Sequence, residues 1–93
     1  MICSFKTKET ESIWLGRAVR HISLEIQVRV RRKLRIMNNI RTLEELKVPP
    51  GNRLEFLKGD RKGQWSIRVN DQYRLCFVWR EADCFEVELA DYH

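Results

Sequence analysis

Residues 65–79, WSIRVNDQYRLCFVW, contain the pattern that decides the fold of this chain. Apolar side chains alternate with other residues on both sides of a polar centre, at Trp65, Ile67, Val69, Tyr73, Leu75, Phe77 and Trp79. Alternation with a period of two is typical of β-strands that bury one face. The polar centre, residues 70–72, predicts a turn between the two strands. The stretch therefore predicts a β-hairpin.

A further strand is predicted after the hairpin. It carries Phe85, Val87 and Leu89 on one face, with Glu86 and Glu88 on the other face. Three consecutive strands with short connections predict an antiparallel meander.

The N-terminal part carries weaker signals. Residues 2–5 predict a short first strand. Thr10 or Ser12 is expected to cap a short helix that ends near Gly16, because hydroxyl side chains favour helix starts and glycine favours helix ends.

Residues 22–37 fit two structures. Alternating apolar residues from Ile22 to Val30 follow a strand pattern. The same region also fits a helical stripe, and its continuation RRKLRIM favours helix, at positions Ile26, Val30, Leu34 and Met37. The residues alone leave both structures open.

A capping box of Thr42 and Glu45 predicts a short helical turn, which residues 49–51 (PPG) then end. Helical signals thus come first and strands second. This order predicts one α+β domain over residues 1–93, with an antiparallel sheet.

Charge is distributed unevenly along the chain. The 93 residues include 18 Lys and Arg against 13 Asp and Glu, a net charge of +5. Residues 17–35 hold seven basic residues and one acid, whereas residues 81–93 hold five acids and no Lys or Arg. A basic surface suits a polyanion such as nucleic acid, because neutralising phosphates releases counterions. A solvated helix face remains the alternative.

Cysteine usage and hydropathy exclude several classes of protein. Cys3, Cys76 and Cys84 are odd in number and form no CxxC unit, which argues against a disulfide framework and against a zinc site. No stretch reaches the ~20 apolar residues that span a bilayer, and the N-terminus lacks the features of a secretory signal. A cytoplasmic protein with no membrane association, no metal and no cofactor is therefore expected.

Two arginines on the hairpin are candidates for phosphate binding. If the strands pair about Asp71, Arg68 and Arg74 lie opposite each other, on the face away from Trp65 and Ile67. Like charges in this position repel, and a phosphate between them would relieve the repulsion. Two solvated arginines on an exposed sheet face are the alternative.

The C-terminal residues Asp91, Tyr92 and His93 directly follow the last predicted strand. Histidine can exchange a proton near neutral pH, so His93 is a candidate acid or base. Lys58 adds a cation just before Gly59.

These motifs together resemble a known family. The block PPGNRLEFLKGDRKGQWSIRVNDQYRLCFVW (residues 49–79), followed by DYH at residues 91–93, is similar to the HigB, or plasmid-maintenance killer, toxins of the RelE superfamily. The opening MICSF with a short helix behind it is similar too, so that the resemblance covers nearly the whole chain. It implies a RelE-like fold, with N-terminal helices packed on a curved antiparallel sheet, and it favours the helix for the ambiguous segment.

The resemblance also implies an activity. The family cleaves messenger RNA in the ribosomal A site without a metal, by attack of the ribose 2′-hydroxyl on its own phosphodiester. Such a reaction needs a base, cations that stabilise the phosphorane and an acid for the leaving oxygen. Lys58 and Arg74 are expected to stabilise the phosphate, His93 to transfer protons, Asp91 to orient His93, and Tyr92 to stack on a base or position the phosphate.

Three further residues are expected to contact RNA: Arg61, Arg68 and Glu55. Some family members carry a histidine near the position of Glu55, so this carboxylate is either a substitute base or a solvated side chain. Two other functions remain open: a non-catalytic RNA- or ribosome-binding module of the same fold, and a DNA-binding domain. The second would need a helix-turn-helix or ribbon pattern, which the sequence lacks.

The partners that the resemblance implies are messenger RNA on the 70S ribosome and a helix-turn-helix antitoxin of the HigA type. Operator DNA would be bound only through that antitoxin. Of two possible antitoxin surfaces, the catalytic concavity and the helical face with Arg29, Arg32 and Lys33, the resemblance favours the helical face.

Overall fold

A computed structural model describes residues 1–92 of the chain. Two α-helices come first, α1 (Lys8–Trp14) and α2 (Leu24–Asn39). Three short 3₁₀ turns lie in the connections that follow, at Leu43–Lys47, Pro50–Asn52 and Gly59–Arg61. The strands are β1 (Glu55–Phe56), β2 (Trp65–Arg68), β3 (Tyr73–Arg80) and β4 (Asp83–Asp91). They form one antiparallel sheet in the order β1-β2-β3-β4. The predicted α+β class is confirmed.

The ambiguous segment is a helix. Ser23 caps α2 by accepting a hydrogen bond from the backbone N–H of Ile26. Val30, Leu34 and Met37 are fully buried, as the helical stripe predicts. The competing alternation has no structural role, because Leu24 and Val28 lie exposed on the outer side of the helix.

The start of α1 differs from the prediction. Thr7, rather than Thr10 or Ser12, is the cap, and its hydroxyl accepts from the backbone N–H of Thr10. Thr10 is instead fully buried, and its hydroxyl accepts from the backbone N–H of Leu89 on β4. Thr10 therefore ties the helix to the sheet. Residues 2–5 form two isolated parallel bridges with β4 rather than a continuous strand.

The capping box is confirmed, since the Glu45 carboxylate accepts from the backbone N–H groups of Arg41 and Thr42. These hydrogen bonds lower the pKa of Glu45.

The sheet has one face toward the helices. Ile67 and Phe77 are buried there with Trp65 packed beside them, as predicted. The opposite face carries Ser66, Arg68, Arg74, Cys76, Glu88 and Ala90. A separate small cluster of Leu57, Cys76 and Ala90 is buried on that face.

The prediction for the last strand is wrong at Phe85. The register of β3 and β4 shifts between Cys76 and Val78, and Glu86 has a positive φ of 52°. Such a bulge adds one residue to β4 and reverses the alternation beyond it. Cys84 and Val87 consequently both face the core, whereas Phe85 pairs with Val78 on the opposite face.

Candidate active site

The hairpin register brings Arg68 and Arg74 opposite each other, as predicted from pairing about Asp71. Their guanidinium groups do not share a ligand. Arg68 forms an ion pair with Asp71, and Arg74 bonds to Ser66 and Arg53. The Asp71 carboxylate thus offsets the charge of Arg68, whereas the acceptors of Arg74 are neutral.

Hydrogen-bond acceptors of the protein itself hold the side chain of Arg74 on the sheet face. Its Nε donates to the Ser66 hydroxyl at 2.8 Å, and its Nη2 donates to the Arg53 carbonyl oxygen at 2.6 Å. Ser66 is fully buried, so its hydroxyl is a fixed anchor. Arg53 has a left-handed backbone, with φ of 45°, just after the Pro50–Asn52 turn. These contacts hold the guanidinium in one orientation, which favours recognition of a phosphate.

Tyr92 lies on the same face. Its hydroxyl lies 3.9 Å from the Cys76 sulfur, and its backbone N–H donates to the Gln72 carbonyl oxygen at 2.6 Å. Burial contributes most to raising the pKa of Tyr92, while the charges of Arg61 and Arg74 oppose it. The phenol therefore stays protonated at neutral pH and can donate a hydrogen bond. Tyr92 follows Ala90, the β4 partner of Arg74, by two residues, so the side chains of Arg74 and Tyr92 lie on one sheet face.

Asp91 ends β4 in register with Tyr73, so the alternation of β4 puts it on the other face from Arg74 and Ala90. Gln72 Nε2 donates to its carboxylate at 3.1 Å. His93 lies outside the described residues, so the predicted contact between it and Asp91 stays a prediction.

Glu55 and Lys58 lie toward the β1 edge of the face. Glu55 pairs with Ser66, which puts its side chain on the face of Arg74. Lys58 is exposed and immediately precedes the 3₁₀ turn Gly59–Arg61. The structure therefore brings Glu55, Arg74 and Tyr92 to one sheet face, with Lys58 at its edge. Arg68 starts from the same face at the end of β2, but its side chain lines a cleft together with Arg29 and Lys33 of α2.

Arg61 lies beside Tyr92 and is already paired. Its Nη1 donates to the Glu88 carboxylate at 2.8 Å, and its guanidinium carbon lies 5.9 Å from the centre of the Tyr92 ring. The hydrogen bond with Glu88 contributes most to raising the pKa of Arg61.

Sequence reasoning missed Ser66, Cys76 and Glu88, which lie under or beside these side chains. Their residue types are unremarkable in strands. The one available signal was the predicted hairpin register, which already placed Ser66 and Cys76 on the face of Arg74.

A basic cleft of about 360 Å³ lies at the hairpin end, between α2 and the loop around Pro49. Its cations are Arg29, Arg32, Lys33 and Arg68, and its apolar walls include Ile36, Pro49 and Val69. Burial, followed by the charges of Arg29 and Arg68, lowers the pKa of Lys33. Several positive charges are thus crowded together next to apolar surface.

Within residues 1–92, no cluster of three or more His, Cys, Asp or Glu could hold a metal ion. Across the same residues, no helix is long and apolar enough to cross a membrane. The chemistry available on the candidate face is a fixed guanidinium, a protonated phenol and nearby carboxylates, which together suit a phosphodiester.

Comparisons with known proteins agree with this geometry. Residues 4–93 match the family described as the RelE-like toxin of the type II toxin–antitoxin system HigB. Toxin HigB-1 of Vibrio cholerae is 42% identical over 80 residues, which cover 85% of this chain and 84% of that protein. Endoribonuclease HigB of Proteus vulgaris is 30% identical over 97 residues, which cover the whole of both chains.

Two solved structures show the same fold. A heterotetrameric YoeB–YefM toxin–antitoxin complex from Staphylococcus aureus contains a chain that aligns with a TM-score of 0.62 at 14% identity, covering 100% of this chain and 98% of that one. A second YoeB–YefM complex from the same species aligns with a TM-score of 0.58 and the same coverage. The predicted RelE-like fold is thereby confirmed. The chain belongs to the HigB family of RelE-like toxins of type II toxin–antitoxin systems.

Proposed function

We propose that this toxin is an endoribonuclease that cleaves messenger RNA in the ribosomal A site, by metal-independent attack of the 2′-hydroxyl on its own phosphodiester. The observation that carries the proposal is the anchored guanidinium of Arg74 on an open sheet face, beside the protonated phenol of Tyr92. The name of the Proteus vulgaris relative, an endoribonuclease, supports the same activity.

Each residue has a distinct proposed role. Arg74 and Lys58 neutralise the charge that develops on the phosphorane, where a preoriented cation is most effective. Tyr92 donates a hydrogen bond to the phosphate or stacks on a base, since 37% of its surface remains exposed. His93 transfers protons and Asp91 tunes it. Arg68 and Glu55 contact the RNA beside the scissile phosphate.

The ribosome is proposed to supply part of the catalysis. Glu55 and Lys58 are exposed, and so is 37% of the surface of Tyr92, so the protein alone confines a flexible RNA poorly on this face. Holding the reacting groups in line can be worth several kcal/mol, which a bound ribosome would provide by orienting the codon.

Incubation of a translating bacterial extract with and without the purified protein tests the function. We expect truncated messenger RNA within minutes, whereas naked RNA should be cut far more slowly. Intact messenger RNA with blocked translation would instead indicate a non-catalytic ribosome-binding module. Rapid cleavage of naked RNA would contradict ribosome dependence.

We further propose that a helix-turn-helix antitoxin of the HigA type binds the basic cleft at α2, and that the complex binds operator DNA through the antitoxin. The proposal is supported by the lining of this cleft, in which four cationic side chains lie next to apolar walls. Exposed ion pairs contribute little individually, so apolar contact around Ile36 would anchor an acidic segment of the antitoxin. Bound there, the antitoxin would cover Arg68 and block entry to the A site, while the face that carries Arg74 and Tyr92 stays open. Both toxin and complex would act in the bacterial cytoplasm.

Co-expression with the neighbouring reading frame tests this partner. We expect a stable complex and restored growth, and we expect Arg32→Glu combined with Ile36→Ser to lose both. Arg41→Glu is the matched control, since Arg41 is also exposed but does not line the cleft. The proposed site would be contradicted by an intact complex in the double variant.

A further inference from the structure

The guanidinium group of Arg61 contacts three other side chains of the protein. Its Nη1 donates to Glu88 Oε1 at 2.8 Å and lies 3.3 Å from Gln64 Oε1. Its guanidinium also faces the ring of Tyr92 at 5.9 Å. An arginine that contacts RNA would be expected to extend into solvent, whereas the side chain of Arg61 is only 29% exposed. The geometry therefore does not favour Arg61 as a free phosphate ligand.

Glu88 holds the guanidinium of Arg61 in place. It lies on β4 in register with Cys76, on the same face as Ala90. Tyr92, which follows the end of β4, continues this alternation. The carboxylate of Glu88 is 18% exposed and also lies 3.9 Å from Lys6 Nζ. A carboxylate that is partly removed from water between two cations holds its partners more firmly than an exposed pair does.

Among residues 1–92, the Tyr92 ring has few other side-chain contacts. Tyr92 follows the last residue of β4, and 37% of its surface is exposed. Its hydroxyl oxygen lies 3.9 Å from the Cys76 thiol, which is only a weak donor. A guanidinium over an aromatic face is attracted to the electrons of the ring. Arg61 is thus a principal restraint on where the ring points.

We propose that Arg61, held by Glu88, is a positioning residue that fixes the ring of Tyr92 on the catalytic face. The inference rests on the proposed function, in which Tyr92 contacts the RNA. It assigns Arg61 a different role from the direct RNA contact predicted from the sequence. The ion pair of Arg61 and Glu88 also connects the loop of residues 57–64 to β4, so this loop and Tyr92 are held in one arrangement.

Fluorine NMR of protein labelled with 3-fluorotyrosine tests the positioning directly. The chain has two tyrosines, so Tyr73→Phe assigns the remaining signal to Tyr92. In Arg61→Ala and in Glu88→Gln, we expect this signal to move toward that of free fluorotyrosine. Arg61→Lys should restore it partly, because lysine keeps the charge but lacks the planar group. Arg80→Ala is the matched control, since Arg80 covers Phe85 on the same sheet face at 4.4 Å.

Single-turnover cleavage on programmed ribosomes gives the second measurement. We expect Arg61→Ala to lower the maximal cleavage rate by about tenfold, because a group that contacts the substrate is then misplaced. The ribosome concentration that gives half of the maximal rate should not change. Arg80→Ala should change neither value. An unchanged Tyr92 signal in Arg61→Ala would overturn the inference. So would a higher half-saturating concentration with an unchanged maximal rate, which would identify Arg61 as an RNA contact.

The two proposals fail separately. If the parent protein does not cleave RNA, the proposed function is wrong, whereas the fluorine signal still decides whether Arg61 positions Tyr92.

Discussion

Replacement of Arg74 by alanine is expected to slow RNA cleavage by at least about 100-fold, because one preoriented donor to a developing oxyanion is typically worth that much. The variant loses the guanidinium that Ser66 Oγ and the Arg53 carbonyl oxygen hold at 2.8 and 2.6 Å. A 100-fold loss corresponds to about 2.7 kcal/mol of transition-state stabilisation.

The same substitution also has a cost in folding. Ser66 is fully buried and Arg74 is its partner, so its hydroxyl is left without this hydrogen bond. Such a loss typically costs about 1–3 kcal/mol in the free energy of unfolding. Cleavage is therefore to be measured well below the unfolding temperature of the variant, which a thermal melt provides.

Two variants separate these effects. Ser66→Ala removes the anchor and keeps the guanidinium, so we expect a smaller loss of rate than in Arg74→Ala. Arg80→Ala removes the same charge from the same face of β3 and should cleave like the parent. Primer extension on programmed ribosomes measures all three. If folded Arg74→Ala cuts RNA and arrests growth like the parent, the proposed role of Arg74 is wrong.

Three further outcomes are expected. His93→Ala, or deletion of residues 91–93, should impair cleavage without unfolding the domain, and a melt together with primer extension checks both; normal cleavage by either variant would exclude His93 from catalysis. Treatment of the protein with EDTA, followed by removal of the chelator before the ribosomes are added, should leave the cleavage rate unchanged, while a rate restored only by added metal would contradict the metal-independent mechanism. Leu34→Ala should lower the free energy of unfolding by about 2–5 kcal/mol, since Leu34 is fully buried, and urea denaturation measures the change.

The hairpin could be predicted well because its pattern is local. Seven alternating apolar residues and one polar turn were sufficient to place Arg68 opposite Arg74. The pattern failed at Phe85, since a bulge reverses the alternation and depends on packing between β3 and β4. The start of α1 was misplaced for a related reason. Thr10 is a good capping residue by type, but the sheet uses its hydroxyl instead.

The candidate site could be predicted only in part. Arg74, Glu55 and Tyr92 reach one face because strand register fixes their direction. The contact between Arg61 and Glu88 joins residues far apart in the sequence, and it depends on a loop that returns over the sheet. Periodicity carries no information on such a contact. The roles of the individual residues came from the resemblance and not from spacing.

The proposed function is cleavage of messenger RNA on the ribosome through attack of the 2′-hydroxyl. The most direct test uses a purified initiation complex with a defined codon in the A site and end-group analysis of the fragments. Attack by the 2′-hydroxyl predicts a single cut at that codon, with a cyclic phosphate on the upstream fragment and a 5′-hydroxyl on the downstream one. A 5′-phosphate on the downstream fragment, or an uncut messenger RNA, would contradict it.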